Sequence, residues 1–361
     1  MEKKIYCKDS ITLDGKLDEA VWQEVEEYTG FTRLTSKELA QEQTYFKILP
    51  CEDRIYFGIK CMKNDMVGIE NVSGTGNGGL SEKLEIFLSP SGETDDFYQF
   101  RFAIKNFSEA YYYVDHGVAK PDPYAPFWNY ATYIGENYWS AEVELPFTAF
   151  YMTTHDRWRD KWLVNIGREH RTNTGKPSYS TWSVIPRYGF AIPEYFNSLE
   201  CFPLRPMKND VCILSAVADM RAETADGYCG ILKIKTRNAV AGTFEFSSDH
   251  ADSVVVNLDA GINEFETPCY FDGTTRYKVS LALKRSDDGI EFKRYYPVVV
   301  KYEPIVVKFT LPEYRDNFYP GQDCSKIVGK AISAKPVTLK LEGPGIETKV
   351  ITPTADGSFV F

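Results

Sequence analysis

A carboxylate, a guanidinium and a carboxamide stand at spacings that strand geometry can bring together: Glu85 in KLEIFL, and Gln99 and Arg101 in FYQFRFAI. Glu accepts hydrogen bonds, while Arg and Gln donate them from fixed planar groups, so the three together suit the hydroxyls of a sugar. An ordinary cross-strand ion pair on a wet surface would use the same residues. Their juxtaposition follows from period two. If Leu84, Ile86 and Leu88 point to a core, Lys83, Glu85 and Phe87 face outward; if Tyr98, Phe100, Phe102 and Ile104 point inward, Gln99, Arg101 and Ala103 face outward. The loop that starts Ser89-Pro90-Ser91-Gly92 joins the two strands as an antiparallel hairpin. A register that matches Leu88 with Tyr98 puts Arg101 across from Glu85, and a slip by two puts Gln99 there.

Aromatic residues lie in turn-rich segments nearby in sequence. Trp128 follows Pro123 to Phe127, and Tyr188 and Phe190 lie within Arg187 to Pro193. Rings on loops can stack on sugar faces, or they can pack their own loop down. Arg168, in the charge-dense Arg168-Glu169-His170-Arg171, is a further polar candidate, with a solvated strand end as the alternative. Other chemistries find less support. The glycine segment Gly74 to Gly79 has no following Lys-Ser/Thr pair and leads into a strand instead of a helix, so it reads as a loop and not a phosphate cradle. The four histidines form no metal-spaced pair, and no Gly-x-Ser-x-Gly occurs. A glycosidase carboxylate pair depends on a separation that only the fold sets.

The elements that carry these residues are strands. Arg54 to Cys61 places Ile55, Phe57, Ile59 and Cys61 on one face, and Trp139 to Leu145 does the same with Trp139, Ala141, Val143 and Leu145. Gly135-Glu136-Asn137 predicts a hairpin turn. The 361 residues, 43% hydrophobic and 15% aromatic, allow two or three domains with sizeable cores. A net charge of -10 argues against nucleic acid and anionic membrane surfaces as partners, and no run is apolar enough to span a membrane. The eight cysteines form no Cys-x-x-Cys pair and read as buried free thiols. MEKKIYCKDS carries charge without an apolar run, so no secretory signal is read. Either the protein stays inside the cell or these residues follow a missing leader.

We therefore expect an all-β chain: a β-sandwich over residues 1–204, an immunoglobulin-like β-sandwich over 205–304, and a partial β domain over 305–361 that belongs to a longer polypeptide. The first boundary falls at Cys201 to Pro206, where prolines frame a polar stretch that runs to Asp210.

The segment Ile11 to Trp22, ITLDGKLDEAVW, sets a turn at Asp14-Gly15, an acidic one-turn helix and an anchoring Trp22. It resembles the start of carbohydrate-binding module family 9. So, in order, do RIYFGIKC, SEKLEIFLSP, FYQFRFAIK, WSAEVELPFTAF, WLVNIGREH and STWS, together covering about residues 5–203. The resemblance implies a sugar-binding sandwich in which two tryptophans clamp a glycan beside Glu and Arg. Glu85 and Arg101 match those polar partners, and Tyr188 to Phe190 matches one clamp. The second clamp falls near Gly79, where this chain has no tryptophan. Family members also carry structural calcium, for which the acidic positions single out no ligands, and the resemblance points to an extracellular or cell-surface setting. The expected role is non-catalytic glycan recognition, as an accessory module in polysaccharide recognition or carbohydrate catabolism, with Glu85, Gln99, Arg101, Trp128, Arg168, Tyr188 and Phe190 as ligand contacts. The alternatives are a protein-interaction scaffold with a degenerate groove, a glycoside hydrolase, and a haem-binding relative using Met66 or His116.

Overall fold

The computed structural model describes residues 7, 11–66, 69, 82–105, 107–114, 118–119, 124–171, 177–200, 202–313, 317–322, 325–333 and 336–361. Gly74 to Gly79, His116, Cys201 and Cys324 lie outside them. The chain is all-β. Its first strands are β1 (Glu27–Tyr28), β2 (Thr32–Arg33), β3 (Thr44–Pro50), β4 (Arg54–Met62), β5 (Lys83–Ser89), β6 (Asp96–Ala103) and β7 (Ser108–Val114). There follow β8 (Val118–Ala119), β9 (Asn129–Ile134), β10 (Tyr138–Pro146), β11 (Trp162–Arg171), β12 (Pro177–Thr181) and β13 (Asn197–Leu199). One sheet runs β1-β3-β4-β10-β9, and the other runs β2-β12-β11-β5-β6-β7-β8 with β13 against β11. Period two explains the two layers: Ile55, Phe57, Ile59, Trp139, Ala141 and Val143 from one sheet meet Leu84, Ile86, Leu88, Phe100, Phe102 and Ile166 from the other, all buried. The hairpin at Gly135 closes with its amide donating to the Tyr138 carbonyl at 2.9 Å.

The segment Ile11 to Trp22 is locked onto this sandwich by one carboxylate. Glu142 of β10, fully buried, accepts from the backbone amides of Asp14 (3.0 Å) and Gly15 (2.9 Å) and from the Trp22 indole (3.0 Å). The helical turn α1 spans Val21–Glu24, later than Asp18 and Glu19 suggest. Glu19 instead accepts from the Thr12 amide at 3.1 Å, so the acid closes a loop and does not start the helix. Gly15 has φ +82°, and a Cβ there would lie 2.5 Å from the Thr132 carbonyl carbon. Gly15→Ala is therefore expected to cost roughly 1–3 kcal/mol from backbone strain, with the clash added, read as a lower urea midpoint at unchanged slope.

Beyond Asn209 two further sheets form, from β14 (Val211–Glu223), β15 (Tyr228–Asn238), β16 (Gly242–Ser248), β17 (Val254–Leu258), β18 (Gly261–Phe271), β19 (Arg276–Arg285) and β20 (Glu291–Val299). Their orders are β14-β15-β18 and β17-β16-β19-β20, all antiparallel. The constant-type immunoglobulin order would seat the fourth strand beside the fifth. Here β17 pairs with β16. A three-stranded and a two-stranded sheet occupy 305–360.

The stretch from Phe202 to Asp210, polar and proline-framed in sequence, is tightly packed. Phe202 stacks on Trp162 at 4.0 Å, and buried Arg205 donates to the carbonyls of Phe150 (3.1 Å), Thr153 (2.7 Å) and Asn209 (2.5 Å). Across the junction Tyr151 meets Phe292 edge-on at 5.3 Å, and Thr148 donates to the Glu291 carbonyl at 2.7 Å. Apolar packing thus runs without a break from the first sandwich into the second. No helix among the described residues is long and apolar enough to cross a membrane. Cys51, Cys61, Cys212, Cys229 and Cys269 are free thiols.

Candidate functional site

β5 and β6 pair in the first of the two registers that parity allows: Leu88 opposes Tyr98 and Glu85 opposes Arg101. On β11 the residue beside Glu85 is Gly167, and on β7 the residue beside Arg101 is Glu109. The row Gly167, Glu85, Arg101, Glu109 therefore crosses the outer face of the larger sheet, with neighbouring strands about 4.8 Å apart. One residue pair along, Gln99 sits between Phe87 and Tyr111.

The side chains form a connected polar network. The Gln99 amide donates to Glu85 Oε2 at 2.6 Å and its carbonyl oxygen accepts from the Tyr113 hydroxyl at 2.6 Å. Arg101 lies 3.4 Å from Glu109 Oε2, which also accepts from the Tyr111 hydroxyl at 2.9 Å. The Arg101 guanidinium rests over the Phe107 ring at 5.2 Å. Below this row Lys83 reaches Glu169 Oε2 at 3.3 Å, and Arg171 pairs with the other oxygen of Glu169. The result is a sheet face dense in fixed donors and acceptors.

This face is not bare. Phe87, outward by parity, is fully buried, because Phe97, Phe190 and Phe196 form a second apolar layer over that end of the sheet. Phe190 is pressed flat on Gly167, where a Cβ would lie 2.6 Å from its ring. Glycine is required there for the loop to come down. Phe190 is thus a packed ring and offers no face for stacking. Tyr188 is 79% exposed and meets Tyr179 edge-on at 6.1 Å, so it stands at the β12 side of the patch as a free ring. Trp128 sits elsewhere: it contacts Phe100 and Phe102 on the core side and stacks with Tyr130 at 5.6 Å.

Arg168 does not join the group. It lies on the interior face of β11 with no exposure, its Nη2 2.9 Å from Glu82 Oε2 and 2.9 Å from the Met62 carbonyl. Parity could have shown this, since Arg168 shares the face of Trp162, Val164 and Ile166. Met66 is partly buried against the core. Among the described residues no group of three His, Cys, Asp or Glu side chains is placed to hold a metal ion. Sequence reading missed Tyr111, Tyr113 and Glu109, which extend the network across β7. The alternation of SEAYYYV, with Tyr112 turned to the core, is the signal that would have found them.

Burial raises the Glu85 carboxyl above its ordinary range, and Arg101 and Gln99 only partly offset it. A folded-state value above the unfolded one means that Glu85 favours folding below its unfolded pKa, and that this contribution is lost as pH rises through the folded pKa. Binding that uses the carboxylate runs the other way and weakens as pH falls through that raised value. Glu85→Gln is accordingly expected to raise stability at pH 7 while weakening sugar affinity roughly tenfold. Urea unfolding at pH 4 and 7 with calorimetric titration checks both signs; a variant that loses stability at pH 7 contradicts the assignment.

No family model matches the chain. No curated protein matches it either. Solved structures similar to it include a Bacteroides uniformis protein described as carbohydrate-binding, at 17% identity over 56% of this chain and 97% of that one, with a TM-score of 0.40. A family 9 carbohydrate-binding module from Caldicellulosiruptor kristjanssonii in complex with cellotriose is 14% identical over 54% of this chain and 92% of that one, with a TM-score of 0.38. A second structure of such a module from the same organism, with glucose, is 13% identical over 56% and 95%, with a TM-score of 0.39. The chain is an all-β protein of stacked sheets. In its ordered sequence motifs and among solved structures it is similar to carbohydrate-binding modules of family 9.

Proposed function

We propose that the outer face of the larger sheet binds glycans without cleaving them, as an accessory recognition module. Glu85, Gln99 and Arg101 form hydrogen bonds to sugar hydroxyls and Tyr188 supplies a stacking ring. The observation that carries this reading is the pre-connected network in which Gln99 bridges Glu85 and Tyr113 beside Arg101 and Glu109. Groups already held in place lose little freedom when a ligand arrives, which is what a weakly hydrophobic, hydroxyl-rich ligand requires. The motif resemblance supports the same ligand class. With Phe190 packed down, Tyr188 is the exposed ring that the described residues place beside the network, so micromolar to millimolar affinity is expected.

A panel of mono- and oligosaccharides titrated calorimetrically tests this. The expected result is binding to at least one neutral sugar, weakened about threefold to tenfold by Tyr188→Ala at unchanged melting temperature. No binding across the panel would overturn the reading.

A further inference from the structure

The polar row does not end at β7. Glu109 and Tyr111 also line a groove of about 570 Å³ that opens beside this strand, where the first sandwich meets the second. It is also lined by Phe127, Trp128, Tyr295 and Lys278. The walls are held rigidly: the Phe127 amide donates to the Lys293 carbonyl at 3.1 Å, and the Tyr295 amide to the Ala125 carbonyl at 3.2 Å. Phe127 and Tyr295 pack at 4.7 Å, with Lys278 Nζ 4.1 Å above the tyrosine ring. Rings on fixed backbone with a few convergent polar groups are the composition of a ligand groove, not of a wet crevice between domains.

We propose that this junction groove is a second sugar subsite, taking the units of an oligosaccharide that follow the one held at Glu85, Gln99 and Arg101. The proposal rests on the reading of that first site. Continuity selects the occupant: Glu109 contacts Arg101 on the sheet face and lines the groove, so a chain leaving the first site meets the second without crossing bare surface. From β5 to β7 is about 10 Å, which one sugar ring does not span and a short oligosaccharide does. Lys278 offers donors to hydroxyls, Glu109 an acceptor, and the aromatic edges an apolar wall.

The test compares monomers with trimers of β-1,4-linked glucose, mannose and xylose, titrated against the full chain and against Lys278→Ala, Tyr295→Ala and Arg101→Ala. Lys278 is exposed, so its variant keeps the fold if Tyr295→Ala loosens the junction. The expected result is tighter binding of a trimer than of its monomer, with Lys278→Ala and Tyr295→Ala lowering trimer affinity about threefold to tenfold and leaving the monomer unchanged. Equal binding of monomer and trimer, or junction variants that weaken both alike or neither, overturns the subsite. If Arg101→Ala still weakens binding about tenfold or more in that case, the first site stands alone. Absence of binding to every probe overturns both.

Discussion

Arg168→Leu should lower the unfolding free energy by roughly 3–5 kcal/mol. The reason is the company Glu82 keeps. Its Oε2 faces Arg168 at 2.9 Å and accepts from the Trp139 indole at 3.0 Å; its Oε1 accepts from the Arg171 amide at 2.8 Å and lies 3.2 Å from Lys63. Burial alone would raise the Glu82 carboxyl, but Arg168, His170 and Lys63 outweigh it and hold the carboxyl below its ordinary range. That contribution is present above the unfolded pKa and is lost as pH falls through the lower folded one. Removing Arg168 leaves a buried carboxylate with its strongest partner gone. Adding Glu82→Gln to Arg168→Leu should return part of the loss, since the uncompensated charge disappears. Urea unfolding of both singles and the double reads the coupling. Additive losses would show that the pair is not the source, and unchanged glycan affinity in the folded Arg168→Leu variant is expected throughout.

Arg101→Ala makes the opposite prediction: binding falls about tenfold to a hundredfold while stability changes little. The side chain is partly exposed and its pairing with Glu109 is a surface pairing, worth about 0–1 kcal/mol. For a ligand, however, the guanidinium is the donor on the strand position that the register sets between Glu85 and Glu109. Arg101→Lys should recover only part of the affinity, because an ammonium lacks the planar fork. Calorimetric titration beside thermal melts separates the two effects; a melting loss that parallels the binding loss would mean Arg101 props the sheet instead.

Alternation makes the juxtaposition of Glu85 and Arg101 legible in the sequence as one of two registers. Period two fixed which side of β5 and β6 each residue faces, and the pairing of Leu88 with Tyr98 then left Glu85 nowhere to go but opposite Arg101. Alternation says less about what covers a face. Phe87 is buried because the loop that carries Phe190, about a hundred positions further along the chain, comes down on Gly167, a contact set by tertiary packing and not by local pattern. Charge density misled at Arg168, where a buried ion pair looks in sequence like a solvated strand end. The family-like motifs prove to be largely architectural: Glu142 clasps Asp14, Gly15 and Trp22, and Asn165 accepts from the Thr181 hydroxyl (2.9 Å) and the Ser183 amide (2.9 Å). The change of pattern near Pro206 is visible in the sequence, but the tight packing of this stretch depends on Arg205 filling a space that three separate carbonyls define.

The most direct measurement is a crystal structure of the full chain with a bound trisaccharide from the panel. The account predicts sugar density on the outer face over β5 and β6, with hydroxyls within hydrogen-bond distance of Glu85, Gln99 and Arg101 and one ring beside Tyr188. Sugar density that avoids this face, or that contacts it without Glu85 and Arg101, would contradict the central claim.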